Sequence, residues 1–191
     1  KRRDTQHKRQ YYFEKLNKWE NVDIQADVLK LPLRDECVDS IVCTGVLEHT
    51  CDPFQAVHEI HRVLKPGARA FFEVAFLQHI HSSPSDYFRW TPNGLRVLLQ
   101  DFHIVNWYVV AGPASALAWQ FQEIMAMLFS LRSMFLYKVL ARIFGYVAMP
   151  IAWIDVLLEQ HPLAYHAASG FAAVVMKCSG EKGYDNEGSP T

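Results

Sequence analysis

Residues 38–67 read VDSIVCTGVLEHTCDPFQAVHEIHRVLKPG, and the fold class is decided there. Val38-Asp39-Ser40-Ile41-Val42-Cys43-Thr44 is a short β-branched run of the kind that forms a buried strand. It ends at Gly45, where the backbone turns freely. Asp52 suits a helix N-cap, Pro53 the first helical position, and Gln55 the capping-box spacing. Phe54, Val57, Ile60, His61 and Leu64 recur at helical spacing on one face. Lys65-Pro66-Gly67 stops that helix, and Ala70-Phe71-Phe72-Glu73-Val74-Ala75 starts a second strand. Strand, loop, helix and strand in that order predict a βαβ unit with two parallel strands in a covered sheet.

Upstream, residues 1–20 are polar and basic, with Tyr11, Tyr12, Phe13, Leu16 and Trp19 on one helical face. Seven Lys and Arg fall among the first 18 residues. A solvated helix face or frayed end is the plain reading and a phosphate-binding patch the sharper one. Val22-Asp23-Ile24-Gln25-Ala26 alternates like a strand, Asp27 lies just past its end, and Val28 to Cys37 reads as a loop.

Downstream, Leu77 to Thr91 is a polar and aromatic loop just past a strand's C-terminal end, where α/β folds place ligands. Thr91 and Pro92 open a helix whose buried stripe is Leu95, Leu98, Leu99 and Phe102. Ile104 to Val110 reads as a strand closed by Gly112-Pro113. From Ala114 to about Gln160 the chain is apolar and helical, with Gly145 and Pro150 as expected interruptions. Phe102 to Gln122 is long and uncharged enough to raise a membrane span, but a strand pattern and Gly112-Pro113 divide it. Arg132, Lys138 and Arg142 break the next run, and Ile143 to Ile154 is too short. This predicts a helical insert over the sheet edge or a substrate cleft. The alternative is a membrane-surface face built from Leu128, Phe129, Phe135, Leu136 and Phe144 with basic flanks. Gly170 to Lys177 reads as a last strand, antiparallel to its neighbours, and Gly180 to Thr191 as a disordered polar tail.

The chain has 191 residues, half of them apolar, enough for one domain with a substantial core. A formal net charge of −1 gives no global pointer to nucleic acid. Four cysteines show neither a C-x-x-C pair nor disulfide density, which suits a cytosolic protein, and Cys43 reads as a buried reduced thiol. No signal peptide opens the chain, and no initiator Met either, which suggests a fragment, a processed product or a trimmed chain.

Asp27-Val28, Leu31-Pro32-Leu33, Val38-Asp39-Ser40-Ile41-Val42, Leu47-Glu48-His49, Asp52-Pro53 and Glu59-Ile60-His61-Arg62-Val63-Leu64-Lys65-Pro66-Gly67 occur in a specific order and spacing. Together they resemble the second half of a class I S-adenosylmethionine-dependent methyltransferase, in the subgroup with D-x-x-x-L-P-F, F-D-x-V, L-E-H and R-V-L-K-P-G-G signatures. Val38 replaces the usual Phe and Ala68 the usual second Gly. The resemblance implies a Rossmann-like, mostly parallel sheet with flanking helices, N-terminally incomplete, and an apolar helical insert before the last strand. A partial domain over 1–179, with the insert at about 114–160, and a tail over 180–191 follow from it.

Complete members of that family begin with a strand and a glycine-rich loop that cradles the cofactor. Here the first glycine is Gly45, so a truncated gene or fragment is the expectation, ahead of an enzyme adapted to work without the loop. An incomplete sheet would also leave an edge open, so self-association or poor solubility is expected.

The resemblance implies S-adenosylmethionine as cofactor. It places Asp27 near the adenine amino group, with Val28 and Leu29 against the ring, although Asp27 could instead cap a loop. Thr44, Gly45 and Val46 would pass close to the cofactor's sulfur end. His49 could act as a base, its ordinary pKa being near neutrality, or hold the loop by a hydrogen bond. His79 and His81 form an H-x-H spacing with Asp86 nearby, but no third ligand is specified and no metal is expected. His81, Asp86, Tyr87 and Arg89 instead suit a substrate loop that offers acceptor, stacking and anion-pairing groups for a sugar or phosphate. That loop resembles one in bacterial methyltransferases encoded among surface-polysaccharide genes, a likeness continued at Gly112-Pro113-Ala114-Ser115-Ala116 and His161-Pro162.

The leading reading is therefore cytoplasmic methyl transfer to a small-molecule or glycan acceptor. The alternative is a non-catalytic methyltransferase-like module that docks on a partner or membrane surface through residues 114–160. A nicotinamide-dependent dehydrogenase is disfavoured, since no G-x-G-x-x-G is present.

Overall fold

The computed structural model describes residues 23–81 and 85–178. The basic helical face expected within 1–20 and the polar tail from 180 lie outside the described residues. Strand β1 (Val38–Thr44), helix α1 (Pro53–Val63) and strand β2 (Leu64–Ala75) form the expected unit. β1 and β2 run parallel, in register from Ser40 opposite Arg69 to Thr44 opposite Glu73. Helix α2 (Pro92–Leu98), strand β3 (His103–Ala111), helices α3 (Pro113–Phe129), α4 (Met134–Ala152) and α5 (Asp155–Leu158), and strand β4 (Gly170–Met176) complete the described chain.

The sheet order is β1-β2-β4-β3. The last strand enters between β2 and β3 and runs antiparallel to both, pairing Ala70 with Val175 and Trp107 with Ala173. Its sequence explains this central place. Gly170 to Val175 is nearly all apolar, and Phe171, Ala172, Ala173 and Val175 are buried, as a strand covered on both faces requires. The core joins Phe72, Val74, Phe171 and Val175 of the sheet to Ala56, Val57 and Ile60 of α1 and to Leu95, Leu98, Leu99 and Phe102 of the α2 region.

The buried stripe of α1 is rotated from the expected one. Ala56, Val57, Glu59, Ile60 and Val63 are buried, whereas Phe54, in the first turn, is exposed. Asp52 caps the helix as its spacing predicts, its Oδ1 accepting from the Gln55 N–H at 3.0 Å. The Gln55 amide does not close the box. It donates to the Leu29 carbonyl at 3.3 Å and so ties the helix start to the preceding turn. Thr91 caps α2 in the same way, its hydroxyl accepting from Gly94 N–H at 3.1 Å.

Further sequence expectations fail. Residues 23–26 are irregular rather than a strand, and Asp27 bridges only to Lys30. β1 stands at the end of the sheet, so among the described residues no neighbouring strand offers this segment a ladder. Gly145 and Pro150 do not interrupt the apolar helices either, for both lie inside α4. The break falls instead at Leu131 and Arg132, which take left-handed φ values of 50° and 64°.

The helices α3 and α4 thus form an antiparallel-type hairpin joined by a tight turn. Its seam is made of small and aromatic side chains: Ala126 and Ala148 are buried, Phe129 stacks on Phe144 at 6.0 Å, and Gly145 lies against Gln122. Tyr137 donates to the Glu123 carboxylate at 2.5 Å. Outside the seam, Leu128, Leu131, Met134, Phe135, Tyr146 and Val147 are exposed. Met134–Leu158, 25 residues, is long and apolar enough to cross a membrane by length and composition, yet only 11% of its most apolar window is buried. The run is not broken by Lys138 and Arg142, as the sequence suggested, because both basic side chains sit exposed on a continuous helix.

Candidate functional site

The C-terminal ends of the parallel strands β1 and β2 carry the site. β1 stops at Gly45, whose φ of +63° lies in the left-handed region, where a side chain would be strained. The chain then makes a short 3₁₀ turn, Leu47–His49. Leu47 is fully buried and anchors the turn in the core, which fixes Glu48 and His49 beside it. Thr50 adds a clamp by donating its hydroxyl to the Val46 carbonyl at 2.9 Å.

The loop after β2 folds back on this turn. The Tyr87 N–H donates to the Glu48 carbonyl at 2.7 Å, and Trp90 N–H donates to Ala75 O at 3.0 Å. Within the loop, Asp86 and Arg89 form a two-pronged ion pair, Oδ2 to Nη2 at 2.6 Å and Oδ1 to Nη1 closer still. Asp86 Oδ2 also accepts from the His81 N–H at 2.9 Å. Arg89 donates further to the carbonyls of Gln78, His79 and Phe88. The Arg89 hydrogen bond holds the Asp86 carboxyl down at about 2, against the opposing effect of its burial. These two residues act as the loop's clasp, while Tyr87 is left exposed.

His49 and His81 are brought together, their rings meeting edge to face at 5.0 Å. His49 Nδ1 lies 2.7 Å from the Ser85 carbonyl. A carbonyl only accepts, so Nδ1 carries the hydrogen and Nε2 the free lone pair. The H-x-H pair, by contrast, is split. His79 packs at a tilt against Trp119 of α3, ring centroids 5.4 Å apart, and faces Glu123 at 3.8 Å, which joins the loop to the apolar hairpin. Glu48, which the sequence placed only as part of a motif, is buried beside His49, and among the described residues its Oε2 lacks a hydrogen-bond partner. Burial, then the neighbouring Glu48 carboxylate, pushes the Cys43 thiol up to about 12, so it stays protonated.

Asp27 sits at the other side of α1. Its exposed carboxylate accepts from Leu29 N–H at 3.0 Å in an Asx turn, and Val28 and Leu29 pack half-buried against the core. Thr44 and Gly45 are exposed and Val46 half-buried, so this rim is open to a ligand. The turn bearing Asp27 is held through Glu59 of α1, which accepts from Leu31 N–H at 2.9 Å and pairs with Arg62 at 2.8 Å. Arg62 donates in turn to the carbonyls of Leu31 and Leu33.

Sequence reasoning missed three members of this neighbourhood. The Ser85 carbonyl is a backbone group and leaves no side-chain signal. Glu123 and Trp119 reach the loop from a helix some 40 residues downstream, which only the tertiary fold reveals.

Residues 4–72 match the methyltransferase domain family. The ubiquinone/menaquinone biosynthesis C-methyltransferase of Acidiphilium cryptum is 40% identical over 67 residues, 35% of this chain and 26% of that protein. The chain thus spans about a quarter of that relative's length. A chain in the complex of the Haloferax volcanii Trm112 methyltransferase activator superposes with a TM-score of 0.50 at 17% identity, covering 86% of this chain and 66% of that one. The [4+2]-cyclase SpnF superposes with a TM-score of 0.49 at 18% identity, over 82% and 56% of the two chains. Over residues 4–72 the chain is thus similar to the methyltransferase domain family, and its mixed sheet has the Rossmann-like fold of the class I methyltransferases.

Proposed function

We propose that this chain serves methyl transfer from S-adenosylmethionine to a small-molecule or glycan acceptor, in surface-polysaccharide biosynthesis on the cytoplasmic side of a membrane. The observation that carries the reading is His49, set just past the end of β1 with Nδ1 tied to Ser85 O, which leaves the lone pair of the neutral ring on Nε2. A base so placed can take the proton of an acceptor hydroxyl, provided the acceptor oxygen comes within hydrogen-bond reach of Nε2. The bound cofactor supplies an activated methyl carbon on a sulfonium leaving group.

The residues present fit that cofactor. The exposed Asp27 carboxylate can accept from the adenine amino group, and the half-buried Val28 and Leu29 offer the ring an apolar bed. Beyond its chain neighbours, the nearest atom to a β-carbon built on Gly45 is Glu48 Oε1 at 4.0 Å, so the rim at Gly45 has room for the sulfur end. Tyr87 and His81 line the acceptor side, with Asp86 and Arg89 holding the loop in shape. Aligning acceptor and methyl group in this way can supply up to about 7–11 kcal/mol of the barrier.

One observation favours a second reading. The exposed apolar faces of α3 and α4 suit a non-catalytic module held against a membrane or partner, or a peripheral anchor for the enzyme itself. Calorimetric titration with S-adenosylmethionine separates the two. Micromolar binding that Asp27→Ala abolishes supports the enzyme. Absence of heat with both S-adenosylmethionine and S-adenosylhomocysteine overturns cofactor binding by this chain and leaves a truncated enzyme or the docking module, which restoring an upstream glycine-rich loop then separates.

A further inference from the structure

We propose that Glu48, His49 and His81 form a binding site for a divalent transition-metal cation, with Zn²⁺ as the best match. One donor atom from each of the three lies within 4.8 Å of the other two. Zn²⁺ binds His nitrogen and carboxylate oxygen at about 2.0–2.2 Å, so two donors on a tetrahedral ion stand about 3.4 Å apart. The widest pair has to close by at most about 1.4 Å, a side-chain adjustment rather than a backbone one.

Three independent features point to a cation here. The Glu48 side chain is buried, 3% exposed, and its Oε2 lacks a hydrogen-bond partner among the described residues. A buried carboxylate oxygen without a partner is costly, and a metal ion satisfies it outright. Both imidazoles have their Nδ1 beside a backbone carbonyl, His49 at 2.7 Å from Ser85 O and His81 at 3.3 Å from His79 O. Such carbonyls fix the tautomer and turn the other nitrogen outward, the arrangement that supports a metal-bound histidine. The third feature is rigidity: Glu48 and His49 share a turn anchored by Leu47, and His81 is held by Asp86 through its backbone N–H at 2.9 Å.

Two histidines and one carboxylate leave open positions on a four- to six-coordinate ion. With the ion bound, His49 Nε2 is a ligand rather than a base, and on the methyl-transfer reading an acceptor hydroxyl bound to the ion would instead lose its proton to water, because the ion's charge stabilises the alkoxide. The H-x-H spacing alone does not specify this site, since His79 faces Glu123 and only His81 turns toward His49. Metal binding stands on these side chains alone and does not depend on methyl transfer, so it is read in the absence of any cofactor.

The test uses the full chain, stripped of metal with a chelator and titrated with Co²⁺ and then Zn²⁺. Expected are one equivalent bound per chain, visible Co²⁺ bands of a low-coordinate nitrogen and oxygen site, and their displacement by Zn²⁺. His81→Ala and Glu48→Gln should each weaken Zn²⁺ binding at least about tenfold, while His79→Ala leaves it intact. Circular dichroism of each variant separates lost ligation from lost folding, and His81→Ala, in a loop, decides the matter if Glu48→Gln fails to fold. Wild-type protein that gives no Co²⁺ bands overturns the proposal. So does Zn²⁺ binding that folded His81→Ala leaves unchanged, or that His79→Ala removes instead.

Discussion

Asp155 fills the space that a β-carbon on Gly112 would occupy. From that position its two carboxylate oxygens accept from the backbone N–H groups of Ala114 and Ser115, each at 2.8 Å. These are orphan donors of the first turn of α3, which has no side-chain cap at Gly112 itself. A residue from the far end of the apolar hairpin thus caps its beginning and pins α5 to the sheet end of α3.

Asp155→Ala should therefore cost about 2 kcal/mol, since it strips a buried helix start of two charge-assisted hydrogen bonds. Gly112→Ala should cost a similar amount by pushing the carboxylate away. The double variant should cost clearly less than the sum, because both changes break the same contact. Urea unfolding of the three variants checks this, and strict additivity would count against the shared contact.

Acid should weaken the turn that carries Asp27. The Arg62 hydrogen bond first, and then the Leu31 N–H, hold the Glu59 carboxyl down at about 2 against its burial, with the Arg62 and His58 charges adding to the same direction. A folded pKa below the unfolded one means that this stability is present above the ordinary carboxylate range. It is lost as pH falls from there toward about 2. Glu59→Gln should remove that part of the acid sensitivity. Comparing unfolding midpoints of the wild type and this variant at about pH 6 and about pH 3 measures it.

The clasp in the loop should depend on shape as well as charge. Arg89→Lys keeps the charge but cannot reproduce the two-pronged pairing with Asp86 or reach the same three carbonyls. Hydrogen exchange of the His81 N–H, which Asp86 accepts, should rise in Arg89→Lys and in Asp86→Asn, with β2 and β4 unchanged. Protection unchanged from the wild type in both variants would mean that the loop is held by other contacts.

Local chemistry made much of this fold legible. Asp52-Pro53 and Thr91-Pro92 mark both helix starts because a cap and a missing N–H act within one turn. The parallel pairing of β1 and β2 follows from the intervening helix, and the antiparallel last strand agrees with the family resemblance. What stayed hidden is tertiary. The strand expected at Val22 to Ala26 alternates correctly, yet its described part has no neighbour to pair with. Pro150 sits near the end of α4, where packing against α3 carries the helix through a residue that propensity would make a stop. At the site, Asp27, His49 and His81 stood out by type and position, whereas the partnership of His81 with Glu48 needed the loop to fold back.

The exposed side of the hairpin should bind lipid. Leu128, Leu131, Met134, Phe135 and Val147 are each more than half exposed, from 56% for Val147 to 83% for Leu131. Apolar side chains gathered at one turn and continued along a helix form a face that water does not favour, and Arg132 at the turn supplies a positive charge for anionic headgroups. Vesicles containing an anionic phospholipid should therefore sediment the protein, and neutral vesicles less so. The paired change Leu131→Glu with Phe135→Glu places two carboxylates where the acyl chains would lie. Since neither side chain is buried, it should leave the unfolding midpoint within about 0.5 kcal/mol of wild type while abolishing sedimentation. Retained sedimentation would assign lipid binding to another surface. A variant that stays in solution and unfolds like wild type would identify the α3–α4 turn as the anchoring element.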